Sequence, residues 1–161
     1  MKPLIRVGIV GVGIRGRLFA HAVAQNCDAW LVALSDVDSQ VLADAATRFA
    51  VPGYADYREM LEQEQPDALI VATPDFAHCQ PVLEATRRGI HLLVEKPFAT
   101  MGAEAEQMLE VVEQAGVRCQ VAFENRWNPA FFRARGTIAR GELGEIELMN
   151  ERLGVNNQEP R

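Results

Sequence analysis

Cysteine is scarce in this 161-residue sequence, and positive charge is in the minority. The three cysteines (Cys27, Cys79 and Cys119) lie far apart and form no Cys-x-x-Cys pair, so neither a zinc site nor a redox pair is indicated. We interpret them as buried free thiols of a protein in the reducing cytoplasm. Lysine and arginine total 16 against 22 acidic residues, which disfavours nucleic acid or an anionic membrane as a partner.

Long apolar runs and targeting segments are also missing. Arg6, Arg15 and Arg17 interrupt the richest apolar region, so no membrane-spanning helix is predicted. The first residues lead directly into a strand-like segment without an apolar signal region, so secretion is not expected. With 48% apolar residues, the chain is long enough for one well-buried domain and part of another.

Short apolar runs alternate with segments of helical periodicity, which is typical of repeated β–α–β units. The runs that we interpret as strands are Leu4–Val10, Trp30–Ser35, Ala68–Ala72, His91–Val94 and Val117–Val121. Ala68–Ala72 is apolar at every position, as expected of a strand covered on both faces. Apolar stripes at three- and four-residue spacing predict helices between the runs. The predicted fold is therefore α/β, a doubly wound parallel sheet of the Rossmann type with right-handed crossovers.

The C-terminal part of the chain follows a different pattern. Asn128 and Pro129 are typical of a helix N-cap and first helical residue, and Gly141 is placed to end that helix. Glu145–Arg152 begins as an alternating strand with one apolar face. The sequence offers this strand no partner, so we expect it to be disordered or to pair with another protomer.

A glycine-rich loop stands between the first predicted strand and the first helix. Gly11, Gly13 and Gly16 form the pattern G-x-G-x-x-G, with Ile14 and Arg15 between the last two glycines. The first glycine permits a tight turn, the second lets a pyrophosphate approach the backbone, and the third allows close packing of helix on sheet. Amides of the first helical turn would face the phosphates, so the motif predicts a dinucleotide site that includes all five residues.

Asp36 stands at the end of the second predicted strand, twenty residues after Gly16. A carboxylate there accepts hydrogen bonds from adenosine ribose hydroxyls, each worth roughly 1.5–3 kcal/mol. A 2′-phosphate would meet Asp36 and Asp38 with no Arg or Lys immediately following, so NAD is favoured over NADP. Asp38 is interpreted as a helix N-cap. S-adenosylmethionine enzymes share this strand, loop and acid, and they stay open here as an alternative.

Three further segments follow predicted strands. They are Thr73-Pro74 with His78 four residues later, Glu95-Lys96-Pro97, and Asn125–Pro129. Together with the glycine loop, they resemble the N-terminal half of the Gfo/Idh/MocA oxidoreductases, which are two-domain NAD(P)-dependent dehydrogenases of sugars and polyols. The resemblance covers essentially the whole chain, and Glu-Lys-Pro is its most specific element. It argues against the S-adenosylmethionine alternative.

The resemblance implies a role for each matching residue. Lys96 resembles the catalytic lysine that lies near the nicotinamide and hydrogen-bonds the substrate oxygen, where an ammonium would stabilise developing negative charge. Glu95 would hold this lysine or contact the cofactor, and Pro97 is expected to follow a cis peptide. The residues that would line the nicotinamide side, at the carboxyl ends of the strands, are Thr73, Pro74 and His78.

The resemblance also implies a second domain, of which this chain carries only the start. We expect a dinucleotide-binding domain over residues 1–122, then a linker helix and the first strand of a truncated α+β domain over residues 123–161. The Asp/His pair that the family's second domain usually places near the substrate would lie outside this chain. Two functions stay open. One is an NAD-dependent sugar or polyol dehydrogenase represented by its cofactor-binding half. The other is a non-catalytic NAD-binding module that pairs with another chain, as in a homo-oligomer through the C-terminal strand.

Overall fold

A six-stranded parallel sheet forms the centre of the computed structural model, which describes residues 3–150. Its strands are β1 (Ile5–Val10), β2 (Ala29–Ser35), β3 (Gly53–Tyr54), β4 (Ala68–Val71), β5 (His91–Val94) and β6 (Cys119–Val121). The spatial order is β3-β2-β1-β4-β5-β6, and every neighbouring pair is parallel. The predicted α/β, doubly wound fold is confirmed.

Helices α1 to α5 connect successive strands and α6 follows β6, and local sequence explains where several of the helices begin and end. They are α1 (Ile14–Ala24), α2 (Ser39–Phe49), α3 (Tyr57–Glu64), α4 (Cys79–Arg87), α5 (Gly102–Ala115) and α6 (Pro129–Ala139). The Asp38 side chain accepts hydrogen bonds from two amides of the first turn of α2, which confirms its predicted capping role. The side chain of Asn128 caps α6 by accepting one hydrogen bond, from the amide of Ala130. Gly116, with φ of +65°, ends α5.

An apolar core covers each face of the sheet, because successive side chains of a strand point to opposite faces. Val7 and Ile9 of β1 pack in one cluster with residues of α1 and α2. Val10 packs in the other cluster with residues of α3, α4 and α5. Residues with side chains completely removed from solvent, such as Leu34 and Leu69, lie in the middle of these layers. The two cores hold the sheet in place, and the sheet in turn determines the positions of the loops at its edge.

The structure differs from the sequence-based expectations at strand β3 and at Cys27. Strand β3 was not predicted, because two residues carry no periodicity of their own. Cys27 is exposed, so the prediction of three buried thiols is wrong for this residue, which lies in the surface turn between α1 and β2. Residues 145–150, the described part of the segment Glu145–Arg152, are exposed and lie in no strand, so the pairing of this segment with another protomer stays a prediction. Its last two residues lie outside the described part.

The chain divides into two compact units, Met1–Phe123 and Glu124–Arg161. The first unit contains the whole sheet and the helices α1 to α5. The second contains α6, which a short 3-10 turn at Glu124–Trp127 precedes. Within residues 3–150, no helix combines the length and the apolar character needed to cross a membrane.

Candidate functional site

The glycine-rich segment from Gly11 to Gly16 needs glycine at its first and last positions for steric reasons. Gly11 has φ of +84°, and a Cβ there would lie 2.6 Å from the carbonyl carbon of Ala72. A Cβ on Gly16 would lie 1.9 Å from the carbonyl oxygen of Gly11. The close approach at Gly16, in the first turn of α1, is therefore to the carbonyl of Gly11, directly after β1; the Cβ of Ala72, directly after β4, is 3.8 Å away.

Gly13 opens the N-terminus of α1. A Cβ on Gly13 would meet no heavy atom within 4 Å, and the residue caps α1 without a side-chain hydrogen bond. The amide of Arg17 makes the first helical bond, 3.0 Å to the carbonyl of Gly13. The amides before it, from Ile14 to Gly16, have no carbonyl of a preceding turn to bond to. The amides of this first turn, the helix dipole and an open approach together form an anion-binding arrangement.

The Asp36 carboxylate is turned toward this loop. Its Oδ2 accepts a hydrogen bond from the amide of Val12 at 2.7 Å, and its Oδ1 accepts one from the amide of Asp38 at 2.9 Å. A carboxylate oxygen has two lone pairs, so each oxygen retains capacity for a ribose hydroxyl. Asp36 therefore braces the loop as well as facing it, and sequence reasoning missed this bracing role.

Glu95 and Arg15 form an ion pair that sequence reasoning also missed. The Nε and Nη2 atoms of Arg15 each lie 2.7 Å from Oε1 of Glu95. The other oxygen, Oε2, accepts a hydrogen bond from the backbone amide of Lys96 at 2.9 Å. Glu95 is buried, with 5% of its surface exposed. The loop after β5 is thereby tied to the first turn of α1.

His78 is a buried side chain that connects the loop after β4 with the loop after β5. It is 1% exposed, with Nδ1 2.9 Å from the carbonyl oxygen of Pro97 and Nε2 3.1 Å from that of Thr73. Carbonyls only accept hydrogen bonds, so the protonated ring nitrogen donates to its neighbour. The imidazole therefore holds the loop after β4 against the Glu-Lys-Pro loop. The peptide between Lys96 and Pro97 is cis, as predicted.

Two side chains at this edge have unused hydrogen-bonding capacity. Lys96 is exposed, and no carboxylate of residues 3–150 forms an ion pair with it. The Thr73 hydroxyl is buried and makes no hydrogen bond within the described part of the chain. Buried polar groups are nearly always paired, so this hydroxyl fits a site that a ligand completes. Pro74, next to it, is exposed.

The topology gathers most of the predicted residues at one edge of the sheet. β1 and β4 are neighbours, and the strand order reverses between them, which is where doubly wound sheets bind ligands. The loops after β1, β2, β4 and β5 carry the glycines, Asp36, Thr73-Pro74 and Glu95-Lys96-Pro97. The segment Asn125–Pro129 belongs to the second unit. No group of three or more potential metal ligands occurs among residues 3–150.

Sheet, loop and acid together define an α/β protein of the dinucleotide-binding class. A family model described as an oxidoreductase family with an NAD-binding Rossmann fold matches residues 5–123. The chain belongs to this Gfo/Idh/MocA family, which confirms the resemblance seen in its motifs. The family binds NAD, in agreement with the predicted cofactor.

Relatives with curated descriptions are about twice the length of this chain. The scyllo-inositol 2-dehydrogenase (NAD(+)) of Bacillus subtilis (strain 168) is 31% identical over 147 residues, covering 90% of this chain and 43% of that protein. The uncharacterized oxidoreductase YrbE of the same strain is 28% identical over 150 residues, covering 92% of this chain and 44% of that protein.

Solved structures show the same relation. The scyllo-inositol dehydrogenase from Lactobacillus casei, with bound NAD(H) and scyllo-inositol, matches with a TM-score of 0.84 and 26% identity, over 88% of this chain and 43% of that chain. The WlbA dehydrogenase from Bordetella pertussis, in complex with NADH and UDP-GlcNAcA, has a TM-score of 0.84 and 30% identity, over 89% and 42%. This chain corresponds to the N-terminal half of its relatives.

Proposed function

We propose that this chain is the cofactor-binding half of an NAD-dependent dehydrogenase of sugar or polyol substrates. One observation carries the proposal: the open N-terminus of α1 and the Asp36 carboxylate meet at the sheet edge where the Lys96 loop also lies. Dehydrogenases of inositols and of D-apiose among the relatives support the substrate class.

The first part of the proposal concerns the cofactor. Backbone amides of Ile14, Arg15 and Gly16 would bind the diphosphate, which the missing Cβ of Gly13 admits. Asp36 would accept hydrogen bonds from the adenosine ribose and would repel a 2′-phosphate, so NAD is preferred over NADP. The unpaired hydroxyl of Thr73 would gain a partner on the nicotinamide side.

The second part concerns chemistry at Lys96. When bound, the oxidised nicotinamide would accept a hydride from a carbinol carbon of the substrate, and the reduced form would return it to the corresponding carbonyl carbon. The Lys96 ammonium would donate a hydrogen bond to the substrate oxygen and stabilise the negative charge that develops on it. Glu95 and His78 would hold the backbone of this loop, through the Lys96 amide and the Pro97 carbonyl.

The third part concerns domain organisation and location. We assign residues 1–122 to the dinucleotide-binding domain and residues 123–161 to the start of a second domain. A cytoplasmic location is supported by three cysteines that are all free thiols. A second function, an NAD-binding module that pairs with another chain, is favoured by the position of His78. This histidine contacts the Lys96 loop at the Pro97 carbonyl and is buried, so it is not placed to exchange a proton with a substrate.

Calorimetric titration of the 161-residue chain with NAD+, NADH, NADP+ and S-adenosylmethionine tests the proposal. We expect binding of NAD+ and NADH, weaker binding of NADP+ and none of S-adenosylmethionine. Binding of S-adenosylmethionine without NAD(H) would overturn the assignment. Oxidation of inositols and pentoses, followed by NADH absorbance, then separates the two functions: turnover supports the dehydrogenase, and binding without turnover supports the module.

A further inference from the structure

The Arg15–Glu95 ion pair joins the first turn of α1 to the loop that carries Lys96. We propose that the Arg15 side chain is a positioning residue, which acts on Lys96 through Glu95, and that it is not a ligand of the cofactor diphosphate. This inference rests on the proposed function, because the placement of Lys96 matters only where that loop meets a substrate.

The two oxygens of the Glu95 carboxylate have separate partners. Oε1 receives both guanidinium contacts from Arg15, and Oε2 receives the amide of Lys96. The backbone of Glu95 is itself fixed, because its amide donates to the carbonyl of Val71 at 2.8 Å. The orientation of the side chain is therefore the one remaining variable that decides whether Oε2 reaches Lys96. Arg15 fixes that orientation.

Burial makes this dependence strong. The Glu95 side chain is 6% exposed, whereas that of Arg15 is 42% exposed. A buried carboxylate is strongly unfavourable without a cation, so loss of Arg15 would favour rotation of Glu95 toward solvent. Its bond to the Lys96 amide would then be lost. On the other side of Lys96, the His78 contact with the Pro97 carbonyl would remain.

The same pair argues against a phosphate role for the Arg15 side chain. Its Nε and Nη2 are both directed at Glu95, so any movement of the guanidinium toward a phosphate that breaks these contacts would leave the buried carboxylate without its cation. The diphosphate does not require this arginine, because the amides of the first turn already present donors. The backbone of Arg15 remains part of the cofactor site, and its side chain serves the neighbouring loop.

Hydrogen exchange of the Lys96 amide, measured by NMR on the chain without cofactor, reports directly on the hydrogen bond from this amide to Glu95. We expect Arg15→Met to speed this exchange by about tenfold or more, since hydrogen bonds to charged groups are worth roughly that much. Arg15→Lys keeps the charge but not the forked geometry, so it should give an intermediate increase. The amide of Ile9, in the centre of β1, reports global stability and should not change.

A double-mutant cycle separates positioning from general destabilisation. Glu95→Ala should itself speed exchange at Lys96, and Arg15→Met should add nothing in that background. Arg17→Met is the matched control, because Arg17 lies in the same turn and donates instead to the carbonyls of Val12 and Val41. It should change the Lys96 amide less than twofold. An unchanged Lys96 amide in Arg15→Met, or additive effects in the cycle, overturns the inference.

Titration with ADP tests the phosphate alternative, because ADP carries the diphosphate without the nicotinamide. We expect Arg15→Met and Arg17→Met to bind ADP with affinities within twofold of each other, since both lose one positive charge from the same turn. A selective loss of ADP affinity in Arg15→Met overturns the inference. Failure of the unmodified chain to bind ADP and NADH counts against the proposed function instead, and the exchange measurements then still decide the link.

Discussion

Asp36 is the residue at which stability and the proposed function are most closely combined. Its carboxylate holds the amide of Val12 in the glycine loop and the amide of Asp38 at the start of α2. It faces the same loop that would receive a dinucleotide. The side chain of Asp38, two residues away, instead caps α2. The two acids therefore allow a matched comparison between a binding role and a capping role.

We expect Asp36→Ala to raise the dissociation constant for NAD+ by at least about tenfold, because hydrogen bonds to a charged acceptor are lost. Asp38→Ala should lower the free energy of unfolding by about 1 kcal/mol and leave NAD+ affinity nearly unchanged. Calorimetric titration and urea denaturation measure the two quantities. Equal effects of the two substitutions on affinity would remove Asp36 from its assigned role.

Asp36→Asn addresses cofactor choice separately. The amide retains one oxygen that can brace the loop but removes the negative charge that opposes a 2′-phosphate. We expect the ratio of NADP+ affinity to NAD+ affinity to rise in this variant. A ratio that stays at its original value would show that another group selects against the 2′-phosphate.

Cys119 gives a prediction about pH. Burial raises the pKa of the Cys119 thiol from its ordinary 9.0 to about 11. The unfolded chain therefore releases this proton at lower pH than the folded chain, so the thiol's contribution to stability is complete below pH 9 and is lost between about 9 and about 11. Burial also raises the pKa of Tyr57, so the wild type should be compared with Cys119→Ala. Urea denaturation from pH 8 to 10.5 should show a shallower decline in the variant, and identical declines would contradict the assignment.

At the scale of elements, the β1–loop–α1 unit was predicted well because its determinants are local. The glycine spacing and the acid after β2 required only neighbouring sequence. The Arg15–Glu95 pair was not predicted, because its members are 80 positions apart and meet only through the sheet order. Gly16 was predicted to allow close packing of helix on sheet, and its tight contact is with the carbonyl of Gly11, directly after β1. Similarly, no sequence signal indicated that His78 would be buried and would contact the carbonyls of two loops.

Substitutions at two glycines of this unit allow effects on stability to be distinguished from effects on NAD+ binding. Gly13→Ala has open space for its Cβ and an ordinary φ of −64°, so we expect unchanged stability or a gain of about 0.4–1 kcal/mol. NAD+ binding should nevertheless weaken, because the methyl group would stand where the diphosphate approaches. Gly16→Ala is the contrasting variant. Its Cβ would overlap the Gly11 carbonyl, so it should cost at least about 1–3 kcal/mol of stability.

Thermal unfolding and NAD+ titration of both glycine variants check this pair of expectations. A Gly13→Ala protein that binds NAD+ as tightly as the original would show that the diphosphate does not approach this position. A Gly16→Ala protein of unchanged stability would contradict the contact geometry of the loop.

For the whole molecule, the first unit and the second unit present different problems. The first unit buries both faces of its sheet with its own helices, so it has the apolar cores that a self-sufficient domain requires. In the second unit, residues 145–150 are exposed and lie in no strand, although Ile146 and Leu148 alternate with acidic residues as a strand would. Such an alternation acquires strand geometry only when a neighbour satisfies its backbone groups. The alternation alone therefore does not determine a strand in residues 145–150.

Hydrogen exchange of residues 145–150, measured at two protein concentrations together with sedimentation, tests whether another protomer provides that neighbour. In a monomeric sample we expect these amides to exchange at rates close to those of an unstructured peptide, while amides of β1 and β4 stay protected. If the segment mediates a homo-oligomer, its protection should rise with concentration in step with the sedimenting mass, and Leu148→Asp should abolish both changes. Slow exchange in a demonstrably monomeric sample would contradict both the absence of a strand here and the pairing hypothesis, because the segment would then find its partner within its own chain.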